Sequence, residues 1–381
     1  RVLSLHPSCL GYPPYLTDPP HAGMTLAQRI RKFLLILLLV ECVYLLLVNT
    51  ALYLPVTQDL VNRIRPDKFQ VSWERAWSWY PTRVHARGVS VDGQSRSQQW
   101  QAQAPAASAS IALLPLIMKR VWVSNVHALD LDYRQRPRLK PDRDYSRKLP
   151  HFPAIADREV APVGQVNPKK SSPWHIAVDG ISASGEHRFW IYQLRGTARG
   201  ELSGSLTYRT RGGPFSLDLD KLDLNLEPVY VSTDVEVVSG GTVRGELGFA
   251  PFVPSENKGA AVLQYLRADA QVDLALNDLS FLDLFLLNVP GVAVNGVGRV
   301  AGDLHVDQGT VLAPTDLSVD ASELRVTALS HRVSGNGEVR VAMDDADLGD
   351  GLYLGFHFGD LQVSPQDASE NVLTGVGLDL I

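Results

Sequence analysis

From Trp174 to the end of the chain, apolar and polar residues change places at almost every step, and few folds can use that pattern. Phe215, Leu217 and Leu219 alternate with Ser216, Asp218 and Asp220. Lys221 shifts the phase, and Leu222, Leu224 and Leu226 resume against Asp223 and Asn225. The same period recurs in Val243, Gly245, Leu247 and Phe249, then in Val272, Leu274 and Leu276, then in Val300, Gly302, Leu304 and Val306. Shorter sets follow: Leu317 with Val319, Leu324 with Val326, Val339 with Val341 and Met343, and Leu352 with Leu354, Phe356 and Phe358. A strand turns successive side chains to opposite faces, so period two gives each strand one oily face and one wet face. Turn signals such as Ser239-Gly240-Gly241, Gly309 and Ser334-Gly335-Asn336-Gly337 separate the runs. Together they predict consecutive antiparallel hairpins, a long β-meander. Within it, Asn277–Pro290 carries Leu279, Leu282, Phe285 and Leu286 at helical spacing behind Asp278, which predicts a short helix against the oily face.

Upstream lies a different signal, the oily run from Phe33 to Leu54. At ~1.5 Å per residue such a run makes roughly 33 Å of helix, against a hydrocarbon core of ~30 Å. Phe33, Leu38, Leu46 and Leu54 mark its apolar body, and Glu41 and Asn49 are its polar members. An ionisable group in a membrane helix needs a partner, so Glu41 is a candidate contact for a second membrane protein. Arg29, Arg31 and Lys32 precede the run, and the next base is Arg63. Positive charge stays on the cytoplasmic side, which predicts an N-in, C-out orientation. A cleaved signal has a shorter apolar core and small residues at its cut site; this run is longer and ends in Tyr53-Leu54-Pro55, so an uncleaved anchor is expected.

The expected organisation is therefore a Pro- and Gly-rich leader or extension over 1–23, with Met24 as the start of the working protein, and a signal anchor over 24–55. A helix and the first strands follow over 56–133, a proline-rich and basic loop or linker over 134–173, and the meander over 174–381. Trp73, Trp77, Trp79 and Tyr80 crowd the start of the first strands, either as an interfacial aromatic belt or as ordinary core. The basic run Arg134, Arg136, Arg138, Lys140, Arg143, Arg147 and Lys148 reads as a solvated loop or as a contact for anionic headgroups. A net charge of −5 argues against a broadly basic nucleic-acid binder. The two cysteines, Cys9 and Cys42, lie in the leader and in the oily run, which leaves the exported part without a disulfide or thiolate site. No G-x-S-x-G elbow, Walker loop or H-E-x-x-H pattern occurs, and the histidines are scattered. No catalytic residue, metal site or cofactor is expected, and the chain is not expected to be an enzyme.

Two features resemble a known superfamily. Trp77-Ser78-Trp79-Tyr80-Pro81 leads into Val84, Gly88, Val89 and Val91, and Gly-x-Val hairpin patterns recur at Gly298-Arg299-Val300 and Gly335-Asn336-Gly337-Glu338-Val339. With the anchor, this resembles the AsmA-like proteins of the Gram-negative envelope, relatives of TamB and of the chorein-type bridge-like lipid transfer proteins. The resemblance implies a mainly β fold: a transmembrane helix, then a long, twisted, antiparallel, groove-forming meander with a few short helices. It implies an inner-membrane anchor, a periplasmic sheet with an oily trough, and phospholipid movement toward the outer membrane. On that reading Val243, Leu247, Phe249, Leu274, Leu276, Leu304, Val306, Val339, Val341, Leu354 and Phe356 line the trough. The residues alone leave a second outcome open: a closed sandwich or barrel serving as an anchored scaffold for envelope assembly, with no lipid cargo.

Overall fold

A computed structural model describes residues 26–64, 69–95, 98–112, 114–139, 144, 149–155, 173–232, 235–254, 256–257, 259–279, 293–328, 331–345, 349–365 and 373–380. The expected leader, most of segment 134–173 and residues 280–290 of the expected short helix lie outside the described residues. Helix α1 (Leu26–Tyr53) contains the oily run, and α2 (Pro55–Ile64) follows at once. Proline has no N–H to continue α1, and its fixed φ suits the first turn of a new helix. Among the described residues α1 is the one helix long and apolar enough to cross a membrane.

The rest is mainly one large β-sheet. β1 (Phe69–Ser72) and β2 (Arg75–Trp77) both pair with β3 (Arg83–Gln94), and β3 pairs with β4 (Gln98–Ala112). A short helix, α3 (Leu114–Ile117), leads to β5 (Arg120–Leu129), and β6 (Asp132–Pro137) continues beside β4. Next come β7 (His175–Ile191) and β8 (Leu194–Arg209). β9 (Phe215–Leu226) and β10 (Val229–Val231) share the edge of β8 and pair with β11 (Val235–Phe252). From there the ladder runs through β12 (Leu266–Leu276) and β13 (Ala293–Asp307) to β14 (Thr310–Val311) and β15 (Asp316–Ala328). It ends with β16 (His331–Asp345), β17 (Gly349–Pro365) and β18 (Leu373–Leu380).

From β7 onward the described strands pair antiparallel, as a meander does, but the first strands join it differently: β5 and β6 both run parallel to β7. A parallel pair needs a long crossover, and residues 138–174 supply the length for it. The proline-rich segment thus separates two strands of one sheet. Nor is it all solvated. β6 carries the strand on to Pro137, and Phe152, Pro153 and Ile155 are buried. Arg136, only 4% exposed, donates to Gln99 Oε1 at 2.9 Å and to the carbonyls of Pro153 and Ile155 at 3.3 and 3.2 Å. A buried guanidinium needs such partners, which is why this arginine of the basic run lies inside.

The phase shifts in the sequence are bulges. Leu222 faces Gly245 and Leu219 faces Leu247, so β9 spends one extra residue around Lys221. Ala321 faces Gly337 and Leu324 faces Gly335, so β15 does the same at Ser322-Glu323, where Glu323 takes a φ of 54°. Each bulge restores the oily set to its original side.

Candidate functional site

Directly paired residues in a sheet share a face, so the registers decide which side chains meet. Leu224, Val243, Val272, Gly302, Leu317, Val341 and Leu354 form one row across seven strands. Beside it runs Leu226, Gly241, Leu274, Val300, Val319, Val339 and Phe356. Leu276 lies in a third row with Gly298, Ala321 and Gly337; Leu304 pairs with Ala270; Leu247 joins Ala268 and Val306; and Phe249 pairs with Leu217 and Leu266. All eleven residues expected to line a trough therefore fall on one face. The same face continues into residues that the sequence reading left out. Leu202 pairs with Leu222 and Ala183, Ala198 with Leu226 and His187, and Phe189 with Tyr133, which in turn pairs with Ala102 and so leads to Val91. From β3 to β17, at ~4.8 Å per strand, this face runs for roughly 50 Å.

The face is neither open surface nor closed core. Val243, Leu247, Phe249, Leu274, Leu304, Val306, Val339 and Val341 are all half-buried. The described strands all belong to one sheet, and α1 lies on β2, α2 on β1, α3 on β5 and the turn 259–265 on β11. Small residues lie buried between the larger ones, as with Ala198 and Ala270. Some positions accept only glycine: at Gly245 (φ 136°) and Gly302 (φ 139°) a Cβ would stand 2.1 and 2.0 Å from the carbonyl oxygens of Asp269 and Asp316.

Packed clusters close the face along its two long margins. On one margin Leu276, Leu279, Val319, Ala321, Leu324 and Phe358 form the most buried apolar group, with Leu279 fully enclosed. On the other, Phe252 makes ring contacts with Phe215, Phe249 and Tyr265 at 5.4–6.1 Å, and Tyr208 meets Phe215 at 6.5 Å. Leu276 therefore belongs to a margin, Leu274 and Val339 pack against it, and Val243, Leu247, Leu304, Val306 and Val341 occupy the half-buried floor. Polar groups on this face are few and paired. Tyr133 donates to Gln135 Oε1 at 2.8 Å, and burial, with Tyr192 nearby, pushes its phenol up to about 12.

The opposite face is a lattice of ion pairs between neighbouring strands. Arg299 holds Asp273 at 2.6 and 2.7 Å, Arg340 holds Asp316 at 2.8 and 2.9 Å, Arg244 meets Asp223 at 3.0 Å, and Lys221 meets Glu201 at 2.7 Å. Hydrogen bonds from Arg299 and Arg340 keep the carboxyls of Asp273 and Asp316 below their ordinary range. In that window the folded state binds fewer protons than the unfolded one, so the contribution is present above about pH 4 and fades as pH falls through the lowered values. These pairs are exposed and screened by solvent. Arg340→Gln is therefore expected to lower the thermal midpoint slightly at neutral pH and by less at pH 2. Thermal denaturation at both pH values, with and without added salt, checks this; an equal loss at both pH values contradicts it.

At the chain's first strands, α1 is joined to the sheet. Glu41, Tyr44, Leu45, Val48, Asn49 and Leu52 are its less exposed residues, at the spacing of one helix face. The Asn49 amide donates to Ser78 O at 2.9 Å and accepts from Ser78 N at 2.8 Å. Tyr44 Oη accepts from Thr82 N at 3.3 Å, and Trp73 Nε1 donates to Leu52 O at 3.1 Å. In α2, Asn62 makes the same reciprocal pair with Val71, at 2.9 and 2.8 Å. The crowded aromatics divide accordingly: Trp77 stacks on His85 with centroids 5.9 Å apart, whereas Trp79 and Tyr80 are exposed.

Fold and face together define a class: one helix of membrane-crossing length fastened to an open sheet that is oily on one side and charged on the other. Comparison with family models, with curated proteins and with solved structures finds no match to this chain.

Proposed function

We propose that the chain is a single-pass membrane protein whose sheet carries phospholipid acyl chains along its oily face, in the manner of the AsmA-like proteins it resembles. One observation carries the reading: the strand registers bring all eleven expected residues onto a single face, and those on its floor remain half-buried. Such a face needs a cover, and its length and narrow floor suit fatty tails, each buried CH₂ contributing ~0.8 kcal/mol. The headgroup stays in water at the rim. Transfer of this kind makes and breaks no covalent bond. The charge pattern around α1 supports a cytoplasmic N-terminus, and the resemblance supports an inner-membrane anchor, a periplasmic sheet and movement toward the outer membrane.

A photocrosslinking residue at Leu247 or Leu304, in the full chain in intact cells, is expected to yield phospholipid adducts. One at Glu246, on the charged side, is expected to yield none. Adducts from Leu46 in α1 but from neither Leu247 nor Leu304 would leave an anchored scaffold and remove the lipid reading.

A further inference from the structure

Five apolar residues stand out into solvent at the corner of the sheet beside α1. Trp79 and Tyr80 are 70% and 54% exposed, and Leu114, Ile117 and Met118 around α3 are 79%, 84% and 66% exposed. They come from two connections that hydrogen bonding brings to one place. Thr82 N reaches Tyr44 Oη on α1, and Thr82 O accepts from Ile111 N at 2.9 Å, three residues before α3 begins at Leu114. The corner thus contains the tip of the β2–β3 hairpin and the β4–β5 connection.

Its depth follows from where α1 holds it. Asn49 and Tyr44 lie four and nine residues before Tyr53, about 6 and 14 Å below the end of the helix. Half a hydrocarbon core is ~15 Å. With Arg29, Arg31 and Lys32 held at one interface, a core of ~30 Å that begins at Phe33 ends near Tyr53. A sheet corner bonded to Tyr44 and Asn49 then lies below the far interface, among the acyl chains of that leaflet. Its polar groups are arranged for such a place. Ser78, 3% exposed, has its backbone N–H and C=O paired with Asn49, and its hydroxyl placed on the carbonyls of Tyr80 and Arg83 at 2.8 and 2.7 Å. Backbone groups in hydrocarbon must be satisfied internally; those of Ser78 and Thr82 are, while the side chains of Trp79 and Tyr80 face outward. Lys119 and Arg120 follow the α3 turn, bases of the kind that anionic headgroups attract.

We propose that this corner is a second membrane-inserted element, a foot formed by the α3 turn and the Trp79–Tyr80 tip that enters the leaflet on the C-terminal side of α1. The occupant of the patch is the bilayer in which α1 sits, and the inference rests on α1 spanning it. The foot seats the first strands, and with them one end of the oily face, within the lipid.

The test uses the full chain with Cys9 and Cys42 replaced by serine, in nanodiscs of phosphatidylcholine and phosphatidylglycerol. A nitroxide is attached at Ile117→Cys, at Leu46→Cys in α1, or at Asp218→Cys on the charged face. Power saturation then compares collisions with oxygen, which favours lipid, and with a water-soluble nickel chelate. The Ile117 position is mostly exposed, so the label displaces no packing. It is expected to match the Leu46 label, oxygen-rich and shielded from nickel, while the Asp218 label is open to nickel. An Ile117 label as open to nickel as the Asp218 label, with the Leu46 label still shielded, overturns the foot and spares the anchor. Nickel access at Leu46 overturns both.

Discussion

A photocrosslinker at Leu247 is expected to lose its phospholipid adduct when Leu304 is replaced by aspartate, while the sheet stays folded. Leu304 pairs with Ala270 near the middle of the oily floor and is half-buried. With no lipid above it, the new carboxylate reaches water and stays charged at little cost. With a fatty tail above it, the same carboxylate is shut in hydrocarbon at a cost of several kcal/mol, or must hold the tail away and forfeit ~0.8 kcal/mol for each CH₂ left wet. Either route lowers occupancy by more than tenfold, since ~1.4 kcal/mol is a factor of ten. Leu276→Asp supplies the contrast. Leu276 is 2% exposed in the marginal cluster, and a charge there has no water to reach, so that variant is expected to unfold. Circular dichroism and thermal melting separate the two outcomes. If Leu304→Asp melts out as completely as Leu276→Asp, the floor is closed core and the carrier reading falls.

The two faces of the sheet were legible because period two survives any choice of neighbours. Even the bulges left a trace, in the phase change at Lys221 and in the gap between Val319 and Leu324. Alternation says which side a residue faces and nothing about which strand lies beside it, so the parallel pairing of β5 and β6 with β7 had no local signal. The first half of the oily face alternates too, but it was left out of the expected lining for a different reason. Its floor is built largely of alanine, as at Ala102, Ala104, Ala183 and Ala198, and alanine contrasts weakly with serine or glycine. Arg136 was misplaced among solvated bases because its partners, the carbonyls of Pro153 and Ile155, lie beyond an intervening stretch of prolines and charges. Asn49 was legible only as a polar member of the oily run, because nothing in a hydropathy pattern points from it to Ser78, 29 residues away.

That pairing makes Asn49→Ala the substitution with the largest expected effect on how the sheet is seated. The asparagine amide offers one donor and one acceptor at strand spacing, so it completes the backbone of Ser78 as a neighbouring strand would. Alanine removes both partners and leaves a 3%-exposed N–H and C=O unmet, at about 1–3 kcal/mol for each group. Among the described residues, the hydrogen bonds left between α1 and the first strands are those of Tyr44 with Thr82 and of Trp73 with Leu52, each single and longer. The corner is expected to open more often as a result. Amide hydrogen exchange at Ser78, measured on the full chain in nanodiscs, should speed up by about tenfold to a hundredfold, while β11–β13 exchange as before. Asn49→Asp keeps the acceptor for the Ser78 N–H and loses the donor to its carbonyl, so its exchange should fall between the two. Unchanged exchange at Ser78 in Asn49→Ala means that helix and sheet are not coupled through this pair. A rise that spreads through β11–β13 means that the substitution has destabilised the whole sheet. The coupling matters because a sheet swinging freely on α2 could not hold one end of its oily face at a constant depth, and lipid entry would then depend on chance approach instead of a fixed seat.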